Sequence, residues 1–198
     1  MLKYAAFIIL ISGLLLIGYG GLQFAQTKQQ QEESIKIAKD IVSENQPLQQ
    51  SNTETIKKEF NPKQGEVVGV LEIPKIGAEL PIIEGTDEDE LEKGVGHYKG
   101  TAYPLQNDQI LLSGHRDTVF RRMGELEIGD IFTVKLPYGH FSYIIHEMKI
   151  VEADDRTVIR STAPNDVLTV TTCYPFSYLG DAPQRYVINA LPIKENKD

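Results

Sequence analysis

Residues 167–175 read Val167-Leu168-Thr169-Val170-Thr171-Thr172-Cys173-Tyr174-Pro175. β-Branched side chains dominate the run, which suits a pleated, half-buried backbone. Pro175 lacks the N–H that a ladder needs, so it stops the strand just past Cys173. A strand that ends on a cysteine places that residue at the rim of a sheet, where functional groups gather. Outward from this strand, short runs of β-branched and aromatic residues alternate with Gly, Pro and Asp. They predict strands at 67–73, 80–84, 109–114, 131–136, 141–151 and 185–191 beside 167–172. So many short strands in so few residues imply an all-β domain, closed or sandwiched. Two short helices are expected to interrupt it, at 87–93, opened by Thr86 with Asp89 three residues on, and at 119–126. Pro137-Tyr138-Gly139 between two alternating strands predicts a hairpin turn. No repeat of roughly 20–50 residues recurs, which excludes solenoids and propellers.

The chain ahead of this domain has a different composition. After Met1-Leu2-Lys3, residues 4–26 carry no charge, and their apolar heart at 5–22 is long enough to cross a hydrocarbon core as a helix. A cleaved signal peptide shares the positive start, but this apolar stretch is long and no A-x-A site follows Leu22. We therefore expect a transmembrane anchor over 1–26, its short basic end in the cytoplasm and everything after Leu22 outside. Residues 27–64 read as an extracellular stalk: between 23 and 66 the chain holds 9 Gln among Glu, Lys and Ser. Ile35, Ala38, Ile41 and Val42 recur at helical spacing, whereas 45–62 shows no period and reads as linker. The folded domain then occupies 65–198.

The chain has 198 residues with 41% apolar and 24% charged residues, within the globular range, so wholesale disorder is excluded. Its net charge of −8 argues against nucleic acid as a partner, because such binding depends on clustered positive charge. Cys173 is the only cysteine, so no internal disulfide can form. An unpaired extracellular thiol risks oxidation without structural return, which favours a chemical role for it over burial as a small hydrophobe.

A thiol with a reference pKa of about 8.5 needs a base or a cation beside it to act as a nucleophile near neutrality. His115 ends the apolar strand Gln109-Ile110-Leu111-Leu112-Ser113-Gly114, just as Cys173 ends its own. His97, between Gly96 and Tyr98, reads as a loop residue, and His140 and His146 read as surface or packing residues on a strand. Arg185 opens the last strand, where a fixed guanidinium could hold an oxyanion or a substrate backbone. Asp117, two residues after His115, is left out of the candidate site.

These residues resemble the sortases, membrane-anchored cysteine transpeptidases of Gram-positive bacteria. The likeness rests on Leu112-Ser113-Gly114-His115-Arg116, on Leu168-Thr169-Val170-Thr171-Thr172-Cys173 and on Arg185, and covers about 65–192. It implies a closed eight-stranded β-barrel with short helices and a catalytic trio of His115, Cys173 and Arg185. Residues 113–120 followed by Gly124-Glu125-Leu126 look most like class D; the Asp-Pro-aromatic lid of class C is missing from 23–66, and classes A and E stay in play. By resemblance, Cys173 cleaves an LPxT-type signal, LPNTA-like, after its threonine. A thioacyl enzyme forms, and an amine of the cell-wall peptide or its lipid-linked precursor receives the secreted protein. No cofactor is required by that chemistry. Some members order a loop with calcium, and the acidic residues of 87–92 with Glu152, Asp154 and Asp155 could serve, but an exposed acidic run is more ordinarily a solvated face. Residues 152–166 correspond to the loop that reads the signal and are expected to be mobile in the free enzyme. Two other readings compete. A chymotrypsin-like cysteine protease fails on its need for two barrels and a G-x-C-G surround, and a non-catalytic tethered β-domain would bury Cys173.

Overall fold

Alternation along each strand decides how the sheet closes. A computed structural model describes residues 2–44, 60–176 and 180–193. Eight strands form a closed barrel: β1 Val67–Ile73, β2 Ala78–Glu84, β3 Val95–His97, β4 Gln109–Ser113, β5 Ile131–Leu136, β6 Gly139–Glu152, β7 Val167–Tyr174 and β8 Gln184–Pro192. Around the barrel the order is β1-β2-β3-β4-β7-β8-β6-β5. Every second side chain enters one core: Ile110 and Leu112, Phe132 and Val134, Leu168 and Val170, Ile188 and Ala190. The β2–β3 and β4–β7 pairs are parallel and the others antiparallel.

The strand missing from the sequence reading is β3. Three residues give no visible period, and His97, expected in a loop, lies within it at 1% exposure. Gly96 shows why this stretch resists pattern reading: a Cβ there would stand 2.3 Å from the Gly85 carbonyl oxygen, so packing demands glycine inside a strand. The first short helix, α2, spans Glu88–Lys93, capped by Asp87 rather than Thr86, with Glu90 returning a bond to the Asp87 N–H at 3.1 Å. The helix expected at 119–126 is instead a series of turns ending in one 3-10 turn, Met123–Glu125, because the Thr118 and Phe120 N–H groups both bond back to the His115 carbonyl. The hairpin forms as read, with Leu136 facing Gly139 across Pro137-Tyr138.

Upstream, the apolar stretch and the amphipathic segment join as one helix, α1, Leu2–Glu44. Its apolar part is exposed throughout and long enough to cross a membrane. Further along, Ser34 and Ala38 are buried where α1 packs on β1, β2 and α2. Gln31 Nε2 donates to the Glu92 carbonyl at 3.0 Å, and Lys39 pairs with Glu79. The segment read as a spacer is therefore docked on the barrel over this part; of the linker expected at 45–62, residues 45–59 lie outside the described residues, and Phe60 packs against the core.

A buried polar group closes the barrel wall at β2–β3. Glu84 Oε2 lies 2.6 Å from His97 Nδ1 and accepts the Tyr103 hydroxyl at 2.5 Å, and the His97 ring stacks on Tyr103 with centroids 4.0 Å apart. Burial pushes the Glu84 carboxyl up, but its bonds to His97 and Tyr103 outweigh that and hold it below the ordinary 4.5. A carboxylate held low lends stability that is full above pH 4.5 and is lost as pH falls through its lower folded value.

His97→Leu strands Glu84 without its main partner, and should cost about 3 kcal/mol in chemical denaturation at pH 7 while removing this acid-sensitive component. Ala38→Arg forces a long side chain into the α1 interface. It should cost about 1–3 kcal/mol and lower the melting temperature of the full chain in detergent; an unchanged melt would show that the docked half of α1 contributes nothing to the barrel.

Candidate active site

Three strands that adjoin in the barrel deliver His115, Cys173 and Arg185. β4 and β7 run parallel with Ser113 facing Thr171, so His115 and Cys173 each stand two residues past a matched pair. Pairing continues beyond the end of β4. The Gly114 N–H donates to the Thr171 carbonyl at 3.2 Å, and Thr172 Oγ1 donates to the Gly114 carbonyl at 2.7 Å. Gly114 is required here, since a Cβ would lie 2.6 Å from the Phe120 ring. On the other side of β7, Cys173 faces Arg185 directly across the antiparallel ladder with β8. The sheet thus brings all three predicted residues to one rim.

Cys173 is a half-buried free thiol. Arg185 Nη1 donates to the carbonyls of Ala182, 3.1 Å away, and of Gln184, 3.0 Å away, which fixes the head of its side chain. His115 is half-buried, and its Nε2 stands 3.7 Å from Oε1 of Glu88, in the first turn of α2. No local pattern announces Glu88: it is remote in sequence from His115 and reaches it only because α2 precedes β3, which pairs with β4. Aromatic rings wall the rim, with Phe176 edge-on to Tyr174 at 5.7 Å and to Tyr186 at 5.3 Å.

Arg116 is the neighbour whose part sequence reasoning missed. Its side chain is 6% exposed, an uncommon state for a cation. Nη1 donates to the Pro175 carbonyl at 3.1 Å and Nη2 to the Gly180 carbonyl at 2.8 Å, so one planar fork bridges the β7–β8 connection just after Cys173. Asp117 Oδ2 lies 3.5 Å from Arg116 Nε, which gives Asp117 a partner other than His115. His140 and His146 are exposed on β6, as expected. The acidic residues have local partners: Asp87 caps α2, Asp155 accepts the Thr157 N–H at 2.9 Å, and Glu152 accepts Gln184 Nε2 at 3.1 Å.

Arg116→Met leaves two backbone carbonyls without their donors. It should cost about 2–4 kcal/mol and speed amide exchange in residues 180–184. Arg116→Lys, able to reach one carbonyl, should fall between; equal melts and exchange for all three proteins would remove the bridging role.

Comparison with known proteins now has a geometry to meet. Residues 71–193 match the family model described as the Sortase domain. Over 194 residues the chain is 50% identical to Sortase D of Bacillus subtilis (strain 168), covering 95% of this chain and 97% of that one. Its fold is similar to that of a Clostridium perfringens Sortase D5 transpeptidase, with TM-score 0.70 and 24% identity over 84% of this chain and 99% of the other. Similar too is a Clostridium perfringens sortase C structure with the C-terminal cell wall sorting motif, with TM-score 0.70 and 24% identity over 81% and 100% of the two chains. With a closed barrel that presents histidine, cysteine and arginine at one rim, the chain belongs to the sortase family of cysteine transpeptidases.

Proposed function

We propose that this sortase cleaves an LPxT-type signal, LPNTA-like, near the C-terminus of secreted proteins and joins the protein to an amine of the cell-wall peptide or its lipid-linked precursor. The observation that carries this reading is the direct pairing of Cys173 with Arg185 beside the strand end that bears His115, in a chain half identical to Sortase D. The structure of Clostridium perfringens sortase C with the C-terminal cell wall sorting motif supports it by analogy of fold.

In this mechanism Cys173 Sγ, as thiolate, attacks the threonine carbonyl carbon. Arg185 holds the oxyanion or the peptide backbone beside it. The tetrahedral species collapses with rupture of the bond after threonine, and His115 donates a proton to the departing amine. A thioester remains on Cys173. The acceptor amine then attacks that thioester, His115 takes its proton, and the new amide leaves as Cys173 is restored. Glu88 Oε1, 3.7 Å from His115 Nε2, stands where it can orient the imidazole during these steps. The chemistry balances without a metal or other cofactor, so none is required, and calcium is not favoured because exposed acidic runs are ordinarily solvated.

The apolar half of α1 serves as a single-pass anchor, with Lys3 and the amino terminus in the cytoplasm and the barrel outside, where secreted proteins and cell-wall amines meet it.

Intact-mass analysis of the full chain with an LPNTA peptide and an amine acceptor should give a thioacyl adduct and a joined product. Both should vanish in Cys173→Ala, and His115→Ala and Arg185→Ala should each slow turnover by at least about a hundredfold. Absence of any adduct with a panel of LPxT peptides would overturn the proposed substrate.

A further inference from the structure

The connection between β6 and β7, residues 153–166, crosses the outside of the barrel from the rim that bears Cys173 to the opposite end. At the rim its Ala153 N–H donates to the Pro183 carbonyl at 2.9 Å. At the far end Asp166 accepts the Leu105 N–H at 2.9 Å and the Asn107 N–H at 2.6 Å, while Asp108 accepts the Thr162 N–H at 2.6 Å. The loop expected to be mobile is thus tied at both ends.

Between those ties the Gln109 side chain reaches the middle of the loop. Gln109 is 5% exposed at the start of β4. Its Oε1 accepts the Arg160 N–H at 2.9 Å, and its Nε2 donates to the Val158 carbonyl at 2.8 Å and to Thr169 Oγ1 at 3.0 Å. One amide therefore offers the loop backbone an acceptor and a donor, much as an adjoining strand would. Thr169 Oγ1 donates onward to Asn189 Oδ1 at 2.9 Å, and Asn189 Nδ2 to Glu147 Oε2 at 2.6 Å, so the chain of bonds spans β4, β7, β8 and β6.

Because Ile110, Leu112, Leu168 and Val170 face the core, Gln109 and Thr169 turn to the outer face, and so by two-residue steps does Cys173. A groove of about 250 Å³ lies on this face, lined in part by Gln109, Val158, Arg160, Thr169 and Asn189. From Cys173 back to Thr169 is four residues, roughly 13 Å at 3.3 Å each, the length of an extended four-residue signal.

We propose that Gln109 is a positioning residue that latches the β6–β7 loop as the wall of the groove receiving the sorting signal, and so governs how tightly that signal is held. The proposal rests on the reading of Cys173 as the nucleophile toward such a signal. Without the latch, Arg160 and Val158 lose their partner and the wall gains freedom that each binding event must then remove.

The test uses the full chain in detergent micelles, a fluorogenic LPNTA peptide and a triglycine acceptor, with Gln109→Ala and Gln109→Glu beside the wild type. In Gln109→Ala, amide exchange across residues 156–163 should quicken and KM should rise, each about tenfold, with kcat reduced by less than KM rises. Gln109→Glu keeps the shape and the acceptor for Arg160 but loses the donor to Val158, so it should fall between and stands in should the alanine variant fail to fold. An equal rate of Cys173 alkylation by iodoacetamide in all three proteins would show that the change lies in the wall and not in the thiol. Unchanged exchange in both variants would overturn the latch, and faster exchange with unchanged KM would overturn its role in recognition. A wild type that forms no adduct with any LPxT peptide overturns the sorting-signal reading instead, and the exchange comparison still decides the latch.

Discussion

Parallel pairing of β4 with β7 is the constraint on which the rest depends. Two strands that are distant in sequence run the same way and stop at the same level, and each then delivers one candidate side chain. Antiparallel pairing would have sent His115 and Cys173 to opposite ends of the barrel. The lacing of Gly114 to Thr171 and Thr172 extends this alignment past the last ladder pair, where the backbone would otherwise be free to diverge. β8 then places Arg185 opposite Cys173 at no further cost in geometry.

Around this frame, buried polar side chains act as ties between segments that share no strand pairing. Arg116 spans the β7–β8 connection, Gln109 reaches the β6–β7 loop, and Glu84, beside its ladder partner His97, accepts the Tyr103 hydroxyl and so ties in the loop that follows β3. Each has its hydrogen-bonding capacity met by partners, as burial requires. Where chain must lie against a barrel without joining its ladder, side-chain donors and acceptors replace the missing backbone bonds. That arrangement holds a precise rim on connections that carry little regular structure of their own.

Helix α1 joins a stretch long and apolar enough to cross a membrane to the barrel flank. Ser34 and Ala38 are small enough to let the helix approach β1 and β2, while its apolar half stays unburied. A helix docked along the barrel fixes the direction in which its apolar half departs, which a loose tether would not do.

Composition and period alone determined that the chain pairs an apolar helix with an all-β domain, and that reactive residues stand at strand ends. Seven of the strands, His115, Cys173 and Arg185 were legible because two-residue alternation and a terminating proline are local properties. β3 was not, since three residues around a glycine carry no period and exist as a strand only through their neighbours β2 and β4. His97 was misplaced for the same reason. Thr86 precedes an acidic run and so has the local pattern of a cap for α2, whereas the backbone turn puts Asp87 in that place. Contacts such as Glu88 with His115, Arg116 with Gly180 and Gln109 with Val158 join residues 27 to 64 positions apart. No local pattern encodes them, because they depend on which strands adjoin, and only closure of the barrel decides that.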